Sequence, residues 1–296
     1  TRALNNLGSF YAQQGEWGTA QTYHQQALDE ARQVGEPGVL ALTLENLAKD
    51  YLNLDNPSYA QHLLKEAVSV AQRSNQPQVM ARTLGMLAEA TLAAGDRAAA
   101  QRMFKQALQL AQQTGQNEQH IRWLRTLAEL EIESRNYTRA IEYYQTAENL
   151  ALRLGNQPAE FFMNSALDLS LAYQLSGNSA QAEEYATRAL AQARSSENVE
   201  LEANALTRLG MAAHTTGDLQ RAERFLNEAL ALYESGALQK PDEQMQVLLT
   251  LGNIYTRQHD LKRAQEVTRQ ALALARAAQD TGRQANALHL LGNLAL

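Results

Sequence analysis

Arg82 and Arg122 stand 40 residues apart, with Arg125 one turn further on, and Glu89 and Glu129 keep the same interval beside them, with Glu45 upstream. A guanidinium holds a carboxylate through two parallel N–H···O bonds, so this set is suited to an acidic ligand. Farther along the chain the chemistry changes to amides: Asn204, Gln246, Asn253, Asn286 and Asn293. Each amide carries a donor and an acceptor, and together they can satisfy the N–H and C=O groups of a bound backbone whatever its sequence. Between the two zones lie Leu167, Leu171 and Leu175, spaced by four, with Met211 some 40 residues on. Spacing by four places them on one side of a helix, the form of an apolar anchor on which most affinity depends. Each zone has a plainer reading. The arginines and glutamates can pair with one another, a contribution well under ~1 kcal/mol at a surface. The leucines become core if the helix is rotated, and the amides are then a solvated face.

Catalytic chemistry is not visible. The six histidines, His24, His62, His120, His214, His259 and His289, fall at unrelated positions, with no H-E-x-x-H pair and no second ligand at metal spacing. No G-x-x-x-x-G-K-[ST] or G-x-G-x-x-G run cradles a phosphate. The chain reads as a non-enzyme without cofactor or metal. Its net charge is −6 with no basic block, which argues against nucleic acid and against an anionic membrane surface. Basic and aromatic residues do not interleave on one face as a single-strand binder requires. No apolar run approaches the ~20 residues of a membrane span. Cysteine is absent, which excludes disulfides and thiol chemistry. The default location is the cytoplasm.

The elements that must position these residues are set by alanine. One column reads Ala20, Ala60, Ala100, Ala140, Ala182, Ala222 and Ala264; a second, seven residues on, reads Ala27, Ala67, Ala107, Ala147, Ala189, Ala229 and Ala271. A fixed period of 40, stretched to 42 twice, marks an array of one repeated unit. Small side chains at fixed places mark close helix approach, where a larger residue costs roughly 1–3 kcal/mol. Each unit splits at a turn: Gly15-Glu16, Asp55-Asn56, Gly95-Asp96, Arg135-Asn136, Gly177-Asn178, Gly217-Asp218 and His259-Asp260. Gly supplies the left-handed helix-ending conformation, and the Asp, Asn or Glu that follows begins the next helix. Links such as Gly35-Glu36-Pro37 and Gly115-Gln116-Asn117 separate the units. Between turns, Leu7 heads a column of Leu47, Leu87, Leu127, Leu169, Leu209, Leu251 and Leu291, beside the small residues Gly8, Ala48, Ala88, Ala128, Ser170, Gly210, Gly252 and Gly292. Seven helix pairs and most of an eighth first helix follow, with repeats at about 1–36, 37–76, 77–116, 117–157, 158–198, 199–239, 240–281 and a partial 282–296. The chain starts without Met inside one helical pattern and stops at Leu296 inside another. It reads as a single solenoid, 1–296, excised from a longer protein.

Leu-Gly, an aromatic residue three on (Tyr11, Tyr51, Tyr173, Tyr255), and then the paired alanines resemble the tetratricopeptide repeat across the whole chain. The likeness departs from the family in its period of 40 rather than 34, at Thr91, Glu131 and Ala213 where the aromatic fails, and in the missing proline after the second helix. The longer period is similar to that of kinesin light chains, Leu-Gly-Asn adaptors and bacterial regulators including quorum-peptide receptors. HEAT and armadillo arrays share the length without the paired alanines. The resemblance implies an all-α, right-handed superhelical solenoid of antiparallel helix pairs, about seven and a half repeats, whose first helices line a concave ligand groove. The columns headed by Arg2, Ser9 and Asn5 then face that groove, and the backbone-clamping role of family asparagines falls to Asn6, Asn46, Asn253 and Asn293. The expected function is a protein- or peptide-binding scaffold. Two alternatives are a ligand- or peptide-sensing domain of a larger bacterial regulator, and a self-assembly module associating end to end through its uncapped ends. Trp123, in an otherwise small column, is expected to fill a gap between units, and Trp17 to pack between them.

Overall fold

In the computed structural model, which describes residues 1–115, 117–236 and 238–294, fifteen helices follow one another without a strand among the described residues. They are α1 (Arg2–Gln13), α2 (Trp17–Val34), α3 (Pro37–Asn53), α4 (Pro57–Arg73), α5 (Pro77–Ala93), α6 (Arg97–Thr114), α7 (Asn117–Glu133), α8 (Tyr137–Leu154), α9 (Ala159–Leu175), α10 (Ser179–Ser195), α11 (Val199–Thr216), α12 (Leu219–Glu234), α13 (Pro241–Arg257), α14 (Leu261–Ala277) and α15 (Thr281–Asn293). Odd-numbered helices are the first helices of the repeats and even-numbered ones the second. The fold is an all-α solenoid of antiparallel helix pairs, seven pairs and an eighth first helix.

The turns explain the cuts. The first residue of every within-repeat turn has positive φ: Gly15, Asp55, Gly95, Arg135, Gly177, Gly217 and His259. Glycine adopts this conformation freely, whereas a Cβ there costs roughly 1–2 kcal/mol, so Asp55, Arg135 and His259 hold it against strain. The next residue caps the following helix through its side chain at Asn56, Asp96, Asn178, Asp218 and Asp260, each accepting a hydrogen bond from the backbone N–H three residues on. Glu16 differs: it occupies the cap position of α2 without a side-chain cap bond. Pro37, Pro77 and Pro241 between repeats, and Pro57 within one, begin helices where their missing N–H costs nothing. Gln116 and Leu296, which figured in the reading of the links and the chain end, lie outside the described residues.

Thr1–Asn136 with Asn149–Leu154 form one compact unit, and Tyr137–Glu148 with Gly155–Leu296 form a second. The first has a core built on Leu28, Leu44, Leu47, Leu63, Leu64 and Met86. The second has its own, built on Leu190, Leu206, Leu209, Leu226, Leu248 and Leu251. Both alanine columns are buried in both units, every member at 0 or 1 % exposure. The small residues of the first helices have named neighbours. A Cβ on Gly210 would meet Leu226 Cγ at 2.5 Å, and the Ser170 hydroxyl donates to the Ala182 carbonyl at 2.8 Å. Trp123 packs as expected: it is buried, and a Cβ on Gly85 of the preceding repeat would lie 2.0 Å from its ring.

Three departures from the aromatic column are also buried. Thr91 satisfies its hydroxyl on the Leu87 carbonyl at 2.7 Å. Glu131 accepts from Gln101 Nε2 at 2.7 Å and Asn136 Nδ2 at 2.9 Å, with Lys105 Nζ at 3.6 Å. Ala213 simply packs in the second unit's core.

Candidate functional site

The first helices of the first unit are stitched together by side chains that reach from one repeat to the next. Asn5 Nδ2 donates to Thr43 Oγ1 at 2.7 Å, and the Thr83 hydroxyl donates to Glu45. Asn5 and Glu45 were expected on the ligand face; both are buried, Asn5 tied to the next repeat through Nδ2 and Glu45 through both carboxylate oxygens. Glu45 is 2 % exposed on its side chain and also accepts from Arg82 Nε at 2.9 Å. Arg122 Nη2 donates to Glu89 Oε1 at 2.5 Å. The two arginines therefore do pair with glutamates, but with those of the preceding repeat and not within one helix.

These pairings leave a cavity of about 270 Å³ lined by Lys49, Arg82, Met86, Gln119, Arg122 and Trp123. Its walls come from α3, α5 and α7, the first helices of three successive repeats. Lys49 has no ion-pair partner among the described residues, so the cavity holds a cation surplus even with Arg82 and Arg122 engaged. The buried indole Nε1 of Trp123 also has no acceptor among the described residues. Arg125 is half-buried and does not line this cavity. Of the asparagines assigned here by resemblance, Asn6 is exposed and Asn46 half-buried.

A second cavity of about 270 Å³ lies in the second unit, lined by Asn164, Leu167 and Asp168 of α9, Asn204, Thr207 and Arg208 of α11, Tyr233 of α12, and Glu243 and Gln246 of α13. Leu167 and Asn204 were expected at a ligand site and do meet here. The leucine stripe is graded: Leu167 is 8 % exposed and joins the core, Leu171 is half-buried, and Leu175 is 42 % exposed. Met211 is half-buried, with Gln246 Nε2 3.7 Å from its sulfur. Outside the cavity, Asn253 is exposed and donates to the Leu249 carbonyl at 3.1 Å, Asn293 is exposed beside His289 at 3.2 Å, and Asn286 is exposed.

Arg208, Tyr233, Asp168 and Glu243 were not singled out from the sequence, though the first three carry a signal there. Tyr233 is the one large residue in a third alanine column of Ala31, Ala71, Ala111, Ala151, Ala193 and Ala275. Asp168 and Arg208 are the charged members of the column that contains Asn6 and Asn46. A buried pair in the first unit was missed as well: His24 Nδ1 donates to Asp50 Oδ2 at 2.5 Å, and His24 Nε2 lies 3.3 Å from the Asn5 carbonyl oxygen. Burial pushes the Asp50 carboxyl above its ordinary value, opposed by the His24 bond. Both residues are about 1 % exposed, which places them out of reach of any substrate. Among the described residues, no three His, Asp or Glu side chains are grouped to hold a metal, and no helix is long and apolar enough to cross a membrane.

Comparison with family models decides the lineage: a tetratricopeptide repeat model matches residues 1–73, 79–153 and 162–235. The chain belongs to the tetratricopeptide repeat family. Sequence comparison with curated proteins returns no match. Among solved structures, this tetratricopeptide array is similar to a signal-transduction ATPase with numerous domains and a tetratricopeptide repeat sensor, from Pyrococcus horikoshii. The TM-score is 0.76 at 18 % identity, covering 96 % of this chain and 44 % of that one. The chain thus spans less than half the length of the Pyrococcus protein. It is also similar to the apo form of RapI (TM-score 0.77, 12 % identity, 99 % and 84 % of the two chains) and to the apo form of the quorum sensor NprR from B. thuringiensis (0.61, 16 %, 92 % and 75 %). At these identities the likeness is one of fold.

Proposed function

We propose that this tetratricopeptide array is a non-enzymatic binding module that holds an acidic protein or peptide segment against the first helices of its first unit. The observation that carries the reading is the cavity walled by α3, α5 and α7, where Lys49 has no ion-pair partner among the described residues and Arg82 and Arg122 are half-exposed or exposed. A carboxylate entering there meets Lys49 directly and competes with Glu89, at an exposed pair of low net value, for Arg122. The repeating geometry favours an extended ligand, since equivalent side chains recur from one first helix to the next.

Selection of a random peptide library on the immobilised protein, followed by affinity measurement at two salt concentrations, tests this. Selected peptides should be rich in Asp and Glu, and Lys49→Glu/Arg122→Glu should weaken them at least ~10-fold, equivalent to about 1.4 kcal/mol, with an unchanged helical signal. Affinity should also fall as salt rises. Selected peptides of neutral or basic character, or affinity indifferent to the double substitution, would contradict the reading.

A second reading is supported by the fold likeness to two proteins described as sensors, the Pyrococcus ATPase and NprR. In that reading the array is the sensing segment of a larger regulator, located in the cytoplasm, and its ligand controls an attached domain.

A further inference from the structure

Arg208 sits in the wall of the second unit's cavity without a hydrogen bond or ion pair to any described residue. Its situation is unlike that of the other arginines. Arg82, Arg188, Arg194, Arg221, Arg263 and Arg283 each hold a carboxylate. Those with no partner among the described residues, such as Arg102, Arg153 and Arg269, are exposed to solvent, where water satisfies them. Arg208 is largely withdrawn from solvent, and burial pulls its guanidinium below its ordinary pKa despite the nearby charge of Asp168. A desolvated, unpaired cation is costly unless something pairs with it.

The surroundings specify the something. Asp168 and Glu243 line the same cavity, and Glu243 has no hydrogen bond or ion pair among the described residues. A ligand that is only anionic would satisfy Arg208 and be repelled by two carboxylates. A ligand that is only cationic would suit the carboxylates and leave Arg208 unpaired. A ligand with both charges a few ångströms apart pairs Arg208 and Glu243 at once and is not repelled by Asp168. Asn164, Asn204 and Gln246 add amides that serve either end. The cavity, about 270 Å³, is larger than the ~150 Å³ that admits benzene and just under the ~300 Å³ at which pockets begin to take drug-sized molecules.

The sequence is locally adapted at this place. Where six other repeats keep alanine at the end of the second helix, Tyr233 turns a ring into the wall and donates its hydroxyl to Asn204 Oδ1 at 3.3 Å. The link that follows is lengthened relative to the 40-residue period, which sets the start of α13, and with it Glu243, on a longer tether. A large side chain, a lengthened link and a charged pair in an otherwise uncharged column coincide at one cavity.

We propose that the cavity bounded by Asp168, Arg208, Tyr233 and Glu243 is a binding site for a small zwitterion of the α-amino-acid class, its carboxylate on Arg208 and its ammonium group on Asp168 and Glu243. This goes beyond the acidic-segment reading and does not rest on it, since the two cavities lie in different units and share no residue.

The test is thermal unfolding and calorimetry of the whole chain with each of the twenty free amino acids at about 10 mM, a level that registers any dissociation constant of ~1 mM or tighter. Each amino acid is run beside its N-acetyl and carboxamide derivatives. At least one free amino acid should raise the unfolding midpoint, and blocking either end should abolish the effect. Arg208→Met should abolish binding while keeping the helical signal. Glu243→Gln, at a position less critical to packing, should weaken binding about 10-fold and covers the case in which Arg208→Met fails to fold. Lys49→Glu/Arg122→Glu should leave binding intact, which separates this site from the first unit's. No response to any free amino acid would overturn the proposal. Equal binding of the N-acetyl form, or binding unaffected by Glu243→Gln, would overturn it too, reducing the site to one for anions.

Discussion

At the scale of single residues, the most consequential contact is the His24–Asp50 pair. Other repeats place Leu64, Phe104 and Leu226 where this one has His24, and Ala90, Ala172 and Ala212 where it has Asp50. The pair is the one ionisable acid–base couple in two mostly apolar columns, and desolvation opposes its being there. Removing one partner strands the other: Asp50→Ala or His24→Leu alone should each cost about 3–5 kcal/mol in denaturant unfolding. His24→Leu/Asp50→Ala, which restores the residues of the sister repeats, should leave stability within about 1 kcal/mol of the parent or raise it. Double-variant loss equal to the sum of the singles would contradict this account. The residues themselves were in view in the sequence, but their meeting was not, because columns show which side chains are equivalent and not which columns face one another. The same limit hid the bonds from Asn5 to Thr43 and from Thr83 to Glu45, which turn two apparent ligand-face residues into internal ties. Tyr233 is the opposite case. Its departure from a run of six alanines was legible in advance as a mark of local specialisation.

At the scale of the helix, many boundaries were legible because they rest on local chemistry: a left-handed residue, then, at most within-repeat turns, an Asx cap. Asp260 and Asp280 show how much charge such a cap can carry. Each accepts from the backbone N–H three residues on and from that residue's arginine side chain, Arg263 or Arg283. The backbone bond leads in holding both carboxyls below the ordinary carboxylate range. A carboxyl lowered in the folded state contributes stability that is complete above the unfolded pKa of about 4 and is lost as pH falls through the folded value. Asp260→Asn/Asp280→Asn keeps the cap acceptor and deletes the charge. Its unfolding midpoint should therefore fall less steeply than the parent's between about pH 4 and pH 2. Parallel pH profiles would show that these carboxylates contribute no more than Asn does. Helix rotation, by contrast, was less legible. Leu167, Leu171 and Leu175 pass from core to surface within two turns of α9, a gradation that spacing by four does not reveal.

At the scale of the whole molecule, the array was legible from period alone, since a solenoid repeats its packing with its sequence. Fifteen helices, the buried alanine columns and the tetratricopeptide family match all follow that period. What the period leaves open is what the surface holds; the proposed sites lie where repeats differ, at the cations around the first unit's cavity and the Arg208 cluster in the second. The central claim is that the first-helix face does the binding. Hydroxyl-radical footprinting of the protein, with and without a peptide selected on it, addresses that claim directly, using exposed side chains on both kinds of helix. Leu42 on α3 belongs to the same column as Arg82 and Arg122, whereas Tyr59, Leu152 and Leu261 lie on second helices. Bound peptide should lower oxidation of Leu42 several-fold and leave Tyr59, Leu152 and Leu261 unchanged. Protection of those three with Leu42 still fully reactive would move the interface to the second helices and contradict the account.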